Sequence, residues 1–228
     1  MALEFNGLSY AVMMASPQDL ADFATGFALS EGLATQAADI SDIAVAEVPQ
    51  GWIVRAQLAG LGIAKLEERL RRRVTESSCG LCGIENLAEV ARPLPPVAPH
   101  DPIDPAAIFA ALAALREHQP LGRETGAAHA AAHCQADGAI TTVREDVGRH
   151  NALDKLIGAK ARASEALSPG FVLSTARCSY EIVEKAVRAG ATSLVCISLP
   201  TSLAVERARS CGLGLWALAR DDSVLLIA

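Results

Sequence analysis

Apolar and polar positions alternate over Leu3–Phe5 and Leu8–Met14, with Asn6-Gly7 between them, which predicts a β-hairpin closed by a tight primed turn. Ser16-Pro17-Gln18-Asp19 reads as a helix start: Ser16 as cap, Pro17 in the first position and Asp19 reaching back. That helix is expected to run to about Ser30 and to stop near Gly32. Alternation returns over Ile40–Val48 and Trp52–Leu58, turned by Pro49-Gln50-Gly51, and predicts a second hairpin. Gly62–Arg73 reads as a helix with a basic end, Arg69 to Arg73, and Ile84–Ala91 as a shorter one.

Six of the thirteen residues from Pro93 to Pro105 are proline, which neither a helix nor a central strand tolerates. This segment is read as an extended connector, dividing an N-terminal α+β subdomain (1–92) from a second domain (106–228). Ala106–His118 is a predicted helix. Ala127–Cys134 and Ile140–Val143, with the Asp137-Gly138 turn between, are read as strands. After them the rhythm alternates: helix Val147–Ala163, strand Phe171–Ser174, helix Ser179–Ala189, strand Ser193–Ser198, helix Pro200–Cys211, then strands Leu213–Leu218 and Ser223–Ile227. Such alternation implies a three-layer α/β domain with a mixed sheet.

The chain has 228 residues, enough for one or two domains with a sizeable core. Its residues are 51% hydrophobic but only 4% aromatic, so Ala, Leu, Val and Ile must build that core. A formal charge of −6 argues against a nucleic-acid binder that uses its whole surface, so an anion would need a local basic pocket. No apolar run is long enough to span a bilayer and Met1-Ala2-Leu3-Glu4 is no signal peptide, which predicts a cytoplasmic protein without a membrane partner. Cys134, Cys178, Cys196 and Cys211 stand singly among apolar or small residues and read as buried free thiols.

Cys79 and Cys82 differ. In Ser78-Cys79-Gly80-Leu81-Cys82-Gly83, glycines flank both thiols just before a predicted helix start, where a thiolate is stabilised. The spacing suits sulfur chemistry, but equally a buried structural pair or half of a zinc site. Three strand-to-helix junctions are polar as well. Glu145 to Asn151, continued by Asp154 and Lys155, is denser than a cap requires; Ser174 to Ser179 gathers hydroxyls around Arg177; Ser198 to Ser202 supplies Thr201 and Ser202. Helix starts of this kind at strand ends suit an anionic, nucleotide-like ligand. His129 and His133 share a strand face about 13 Å apart, too far for one metal ion. The zinc-deaminase order of His-x-Glu before Cys-x-x-Cys is absent, and no zinc is expected.

Taken together, Cys79 to Gly83, Thr125-Gly126-Ala127-Ala128-His129, Glu145 to Lys155, Arg177-Cys178-Ser179-Tyr180-Glu181 and Pro200 to Ala204 resemble the FdhD family of formate dehydrogenase accessory proteins over nearly the whole chain. The resemblance implies a second domain similar to cytidine deaminases without their zinc. It implies sulfur transfer from a cysteine desulfurase to the molybdenum bis(molybdopterin guanine dinucleotide) cofactor of formate dehydrogenase. Cys79 would carry a persulfide and Cys82 would assist. His129, Asp146, Arg149, His150, Asn151, Asp154, Lys155, Arg177, Thr201, Ser202 and the turn Leu218-Ala219-Arg220-Asp221-Asp222-Ser223 would hold the cofactor or a GDP-like nucleotide, with Asp154 at the base edge. A homodimer is implied too.

The chain departs from the family pattern in three places. Ala176 replaces a usual glycine, Asp221 and Asp222 would repel a phosphate in the last turn, and the N-terminal stretch is short. Two other readings stay open: a thiol–disulfide oxidoreductase using Cys79 and Cys82, and a chaperone that holds the cofactor without carrying sulfur.

Overall fold

This computed structural model describes residues 1–62, 66 and 93–228. Apart from positions 62 and 66, the helix expected over 62–73 lies outside them, as do Cys79, Cys82 and the helix expected over 84–91.

The first hairpin pairs β1 (Ala2–Phe5) with β2 (Leu8–Val12), and both turn residues have positive φ, 51° at Asn6 and 81° at Gly7, as a primed turn requires. The second pairs β3 (Ile40–Val48) with β4 (Gly51–Leu58). These hairpins join through a parallel β1–β4 contact into a four-stranded sheet of order β2-β1-β4-β3. Helix α1 (Leu20–Ser30) covers it, and Phe23 and Phe27 pack with Leu3, Phe5, Tyr10 and Val54.

Residues 93–104 form no helix or strand, in keeping with their proline content. Beyond them come α2 (Pro105–Leu115), the short α3 (Pro120–Thr125), β5 (His129–Cys134), β6 (Ile140–Asp146), α4 (Arg149–Arg162), β7 (Phe171–Ser174), α5 (Tyr180–Arg188), β8 (Ser193–Cys196), α6 (Ser202–Cys211), β9 (Gly214–Ala217) and β10 (Leu225–Leu226). The strands form a mixed six-stranded sheet, order β10-β9-β8-β7-β5-β6, in which β7, β8 and β9 run parallel. Alternating residues of each strand enter different cores. Val172 and Leu194 pack with Leu153, Leu156 and Ile182 from α4 and α5, whereas Phe171, Leu173 and Val195 pack with Ile108 and Ala111 from α2. The three-layer α/β domain and the smaller N-terminal α+β sheet are thus both present.

Helix α1 joins the two sheets. Its outer side lies on α4 so closely that a Cβ on Gly26 would stand 1.7 Å from the Asp154 carbonyl oxygen, and one on Gly158 1.8 Å from that of Asp22. Only glycine at both positions lets the helices meet backbone to backbone. The contact is fastened by charge: Asp22 binds Arg144 at 2.8 Å and Arg162 at 2.5 Å, and Lys185 of α5 reaches Glu31 and Asp154.

One helix start differs from expectation. Helix α1 begins at Leu20 behind Asp19, not at Ser16, because Ser16 is occupied elsewhere: its N–H donates to Asp146 and its hydroxyl accepts from the Val147 N–H.

Candidate functional site

Because β7, β8 and β9 are parallel, their C-terminal ends share one edge of the sheet, and α5 and α6 begin there. β6 ends at the same edge, since β5 lies antiparallel to both β6 and β7, so α4 begins there as well. Backbone hydrogen bonds tie the loops into one surface: Ile197 N–H to the Ser174 carbonyl (3.1 Å), Thr201 N–H to the Cys178 carbonyl (3.0 Å), Thr175 N–H to the Ala130 carbonyl (3.0 Å) and Ala219 N–H to the Cys196 carbonyl (3.2 Å). The Thr175 hydroxyl accepts from the Ala130 N–H at 2.8 Å.

Four cationic or potentially cationic side chains gather here. His129 opens β5, Arg149 and His150 form the first turn of α4, and Arg177 lies in the β7–α5 loop. Burial, then the charges of Arg149, Arg177 and His150, hold the His129 imidazole below its ordinary value of 6.5. Arg177 is exposed and makes no side-chain hydrogen bond or ion pair among the described residues. His150 Nε2 stands 3.0 Å from Glu181 Oε2 and 3.4 Å from Ser179 Oγ, so α5 orients the imidazole of α4. Glu181 Oε2 is buried and that approach is not aligned as a hydrogen bond. Gly148 and Ser179, the N-caps of α4 and α5, provide no side-chain acceptor to their helices. Helix starts without a side-chain cap, helix dipoles and two guanidiniums on one edge are groups that could receive a phosphorylated anion.

The FdhD/NarQ family matches residues 1–227. The chain belongs to that family. A Cupriavidus necator protein named sulfur carrier protein FdhD is 46% identical over 227 residues, all of this chain and 79% of the relative. A protein of the same name from Xanthomonas euvesicatoria pv. vesicatoria is 47% identical over 225 residues, 99% of this chain and 80% of that one. A crystal structure from Desulfotalea psychrophila, described as that of a candidate formate dehydrogenase accessory protein, shares the fold with a TM-score of 0.76. It is 24% identical, and the likeness covers 99% of this chain and 84% of that one.

Within this FdhD/NarQ member, the Glu145–Lys155 block is more structural than its polarity suggested. Asp146 and Lys155 are fully buried and form a 2.7 Å ion pair. The remaining Lys155 donations go to the carbonyls of Ser16 and Glu145. Asn151 donates to the Met14 carbonyl and to Asp146. Asp154 is only 2% exposed and takes Lys185 on both oxygens at 3.1 Å, with the Ser30 hydroxyl at 2.7 Å. These side chains, expected at a cofactor, are engaged with the protein itself in this structure. The carboxylates of Asp146 and Asp154, the Lys155 ammonium and Asn151 Nδ2 have partners inside the protein, and Asp154 is not open to a base edge.

Thr201 and Ser202 lie exposed at the start of α6, where the Thr201 hydroxyl accepts from the Ala204 N–H. In the turn after β9, Leu218 has φ 51° and the Arg220 guanidinium donates to the carbonyls of Ile197 and Ala219, bracing this turn against the β8–α6 loop. Ala219 is buried; Asp221, Asp222 and Ser223 are exposed, and the Ser223 hydroxyl donates to Asp222. Among the described residues no group of three His, Cys, Asp or Glu side chains could hold a metal ion. Nor is any described helix long and apolar enough to cross a membrane.

Sequence reasoning placed Thr175 and Ser179 in a polar junction and Glu181 in a family motif, but gave none of the three a site role of its own. Ser179 and Glu181 carried a usable signal, since a helix-start serine and an acid two residues on face the neighbouring helix start.

Proposed function

We propose that this chain is a sulfur carrier for formate dehydrogenase. It would take sulfur from a cysteine desulfurase and deliver it to the molybdenum bis(molybdopterin guanine dinucleotide) cofactor. The observation that carries this reading is the similarity, over the full length of this chain, to proteins named sulfur carrier protein FdhD. The Cys79-Gly80-Leu81-Cys82 segment supplies the two thiols.

In the loading step the Cys79 thiolate attacks the outer sulfur of the desulfurase persulfide. That persulfide's S–S bond breaks, the desulfurase cysteine leaves as thiolate, and Cys79 holds the persulfide. In the delivery step the Cys82 thiolate attacks the inner Cys79 sulfur. The outer sulfur departs as sulfide to the cofactor, carrying two electrons, and the Cys79–Cys82 disulfide left behind is reopened by a thiol reductant.

Arg149, Arg177 and the first-turn amides of α4 and α5 would bind the phosphates of a guanine dinucleotide arm. His129, whose imidazole is held below its ordinary value by burial and then by its cationic neighbours, would take up a proton more readily as those phosphates arrive. The cofactor has two such arms, so two copies of the site, one on each protomer of a homodimer, would hold it.

The test is reconstitution of formate oxidation from formate dehydrogenase carrying unsulfurated cofactor, a desulfurase, cysteine and this chain. Wild type should restore activity and Cys79→Ala should not. Restoration by a Cys79→Ala/Cys82→Ala double variant would contradict sulfur transfer and leave cofactor holding as the role.

A further inference from the structure

Segment 14–16, which leads from β2 to α1, lies against the start of α4 through a set of buried and part-buried polar contacts. Asp146 is the hub. Its Oδ1 accepts from the Gly148 N–H (2.8 Å) and from Asn151 Nδ2 (3.0 Å), while its Oδ2 accepts from the Ser16 N–H (2.9 Å) and from Lys155 Nζ (2.7 Å). Ser16 returns the contact: its hydroxyl accepts from the Val147 N–H (3.0 Å) and its carbonyl accepts from Lys155 (3.0 Å). Asn151 closes the ring on the Met14 carbonyl at 2.8 Å. One oxygen of Asp146 thus fixes the turn that starts α4, and the other grips the N-terminal segment.

Arg149 and His150 lie between these anchors, at Gly148 and Asn151. The backbone that aims them at the anion receptor has no other side-chain cap, since Gly148 is the N-cap. The geometry points to Asp146 and Ser16 as positioning residues: through them the N-terminal subdomain sets where Arg149 and His150 stand, and hence how tightly the sheet edge holds a phosphorylated ligand. Neither residue touches the ligand. Asp146→Asn is the informative change, because an amide keeps the acceptor facing Gly148 but turns an NH2 toward the Ser16 N–H and the Lys155 ammonium. The inference rests on the nucleotide-binding reading given above.

The experiment is calorimetric titration of the full chain with GDP. It compares wild type, Asp146→Asn, Ser16→Ala and Ser16→Thr with Ile108→Val, a core change within α2 on the far side of the sheet. Asp146→Asn should weaken GDP by about tenfold or more, the size expected for losing a charge-assisted hydrogen bond at the helix start. Ser16→Ala should weaken it less and in the same direction. Ser16→Thr, which keeps the hydroxyl, should restore affinity, and Ile108→Val should leave it unchanged; a merely structural role would move Ile108→Val with the others. If Asp146→Asn does not fold, the Ser16 pair decides. Wild-type affinity in Ser16→Ala, and in Asp146→Asn where it folds, overturns this inference and leaves the nucleotide reading standing. A wild-type chain that binds no GDP overturns both.

Discussion

At the scale of single residues, side chains open at the sheet edge differ from those that hold the protein together. Arg177 is exposed and unpaired by any described side chain, so Arg177→Ala should lower GDP affinity about tenfold in a calorimetric titration while leaving the urea midpoint in place. The histidines give a pH signature. Burial, then Arg149, Arg177 and His150, depress His129; burial, then Lys160, depress His133. In the unfolded chain both titrate near 6.5, so below that pH the unfolded state binds more protons than the native one. Their contribution to stability is complete above about 6.5 and is lost as the pH falls. Urea midpoints should therefore drop between about pH 7.5 and about pH 5.5, and His129→Gln should flatten part of that drop. Anion binding at the cluster favours the imidazolium, so GDP affinity should rise over the same descent in pH. Arg149, His150 and Arg177 stood out in the sequence because arginine and histidine at helix starts seldom serve only the core, and they lie together beside His129. The internal partners of Asp146, Asn151, Asp154 and Lys155 were not legible, because Ser16, Met14, Ser30 and Lys185 lie 31 to 139 residues away and no local pattern announces them.

Among elements, the crossing of α1 and α4 governs how the two sheets meet. Gly26→Ala or Gly158→Ala would push a methyl group into a backbone carbonyl, and the helices would have to separate. Either change should cost about 3 kcal/mol in urea unfolding, at the upper end for overpacking. Lys185 tells a parallel story. Burial pulls its ammonium down, but Asp154 and Glu31 outweigh burial and hold it protonated above its ordinary range. Lys185→Met would strand the buried Asp154 carboxylate and should cost roughly 3–5 kcal/mol, most of it recovered in the Asp154→Leu/Lys185→Met double variant. The alternation of strands and helices was readable because periods of two and 3.6 residues are local. The parallel β1–β4 pairing was not, since hairpin turns fix only antiparallel neighbours. Nor was the true start of α1 at Leu20, because Ser16-Pro17 is a sound capping sequence until a distant carboxylate claims the serine.

For the molecule as a whole, an FdhD/NarQ chain of net charge −6 brings Arg149, Arg177, His129 and His150 together at one edge of its larger sheet. The clamp at Asp146 and the α1–α4 crossing join that edge to the N-terminal subdomain, whose sequence continues toward Cys79 and Cys82. In the proposed division of labour, one half carries sulfur and the other holds the nucleotide arms of the cofactor that receives it. The central claim is that Cys79 carries the sulfur. The measurement that tests it most directly is the intact mass of the protein after incubation with a cysteine desulfurase and cysteine, for wild type, Cys79→Ala and Cys82→Ala. Wild type and Cys82→Ala should gain the mass of one sulfur atom, removable by a thiol reductant, and Cys79→Ala should gain none. A wild type that gains no mass, or a Cys79→Ala variant that gains as much as wild type, would contradict the account.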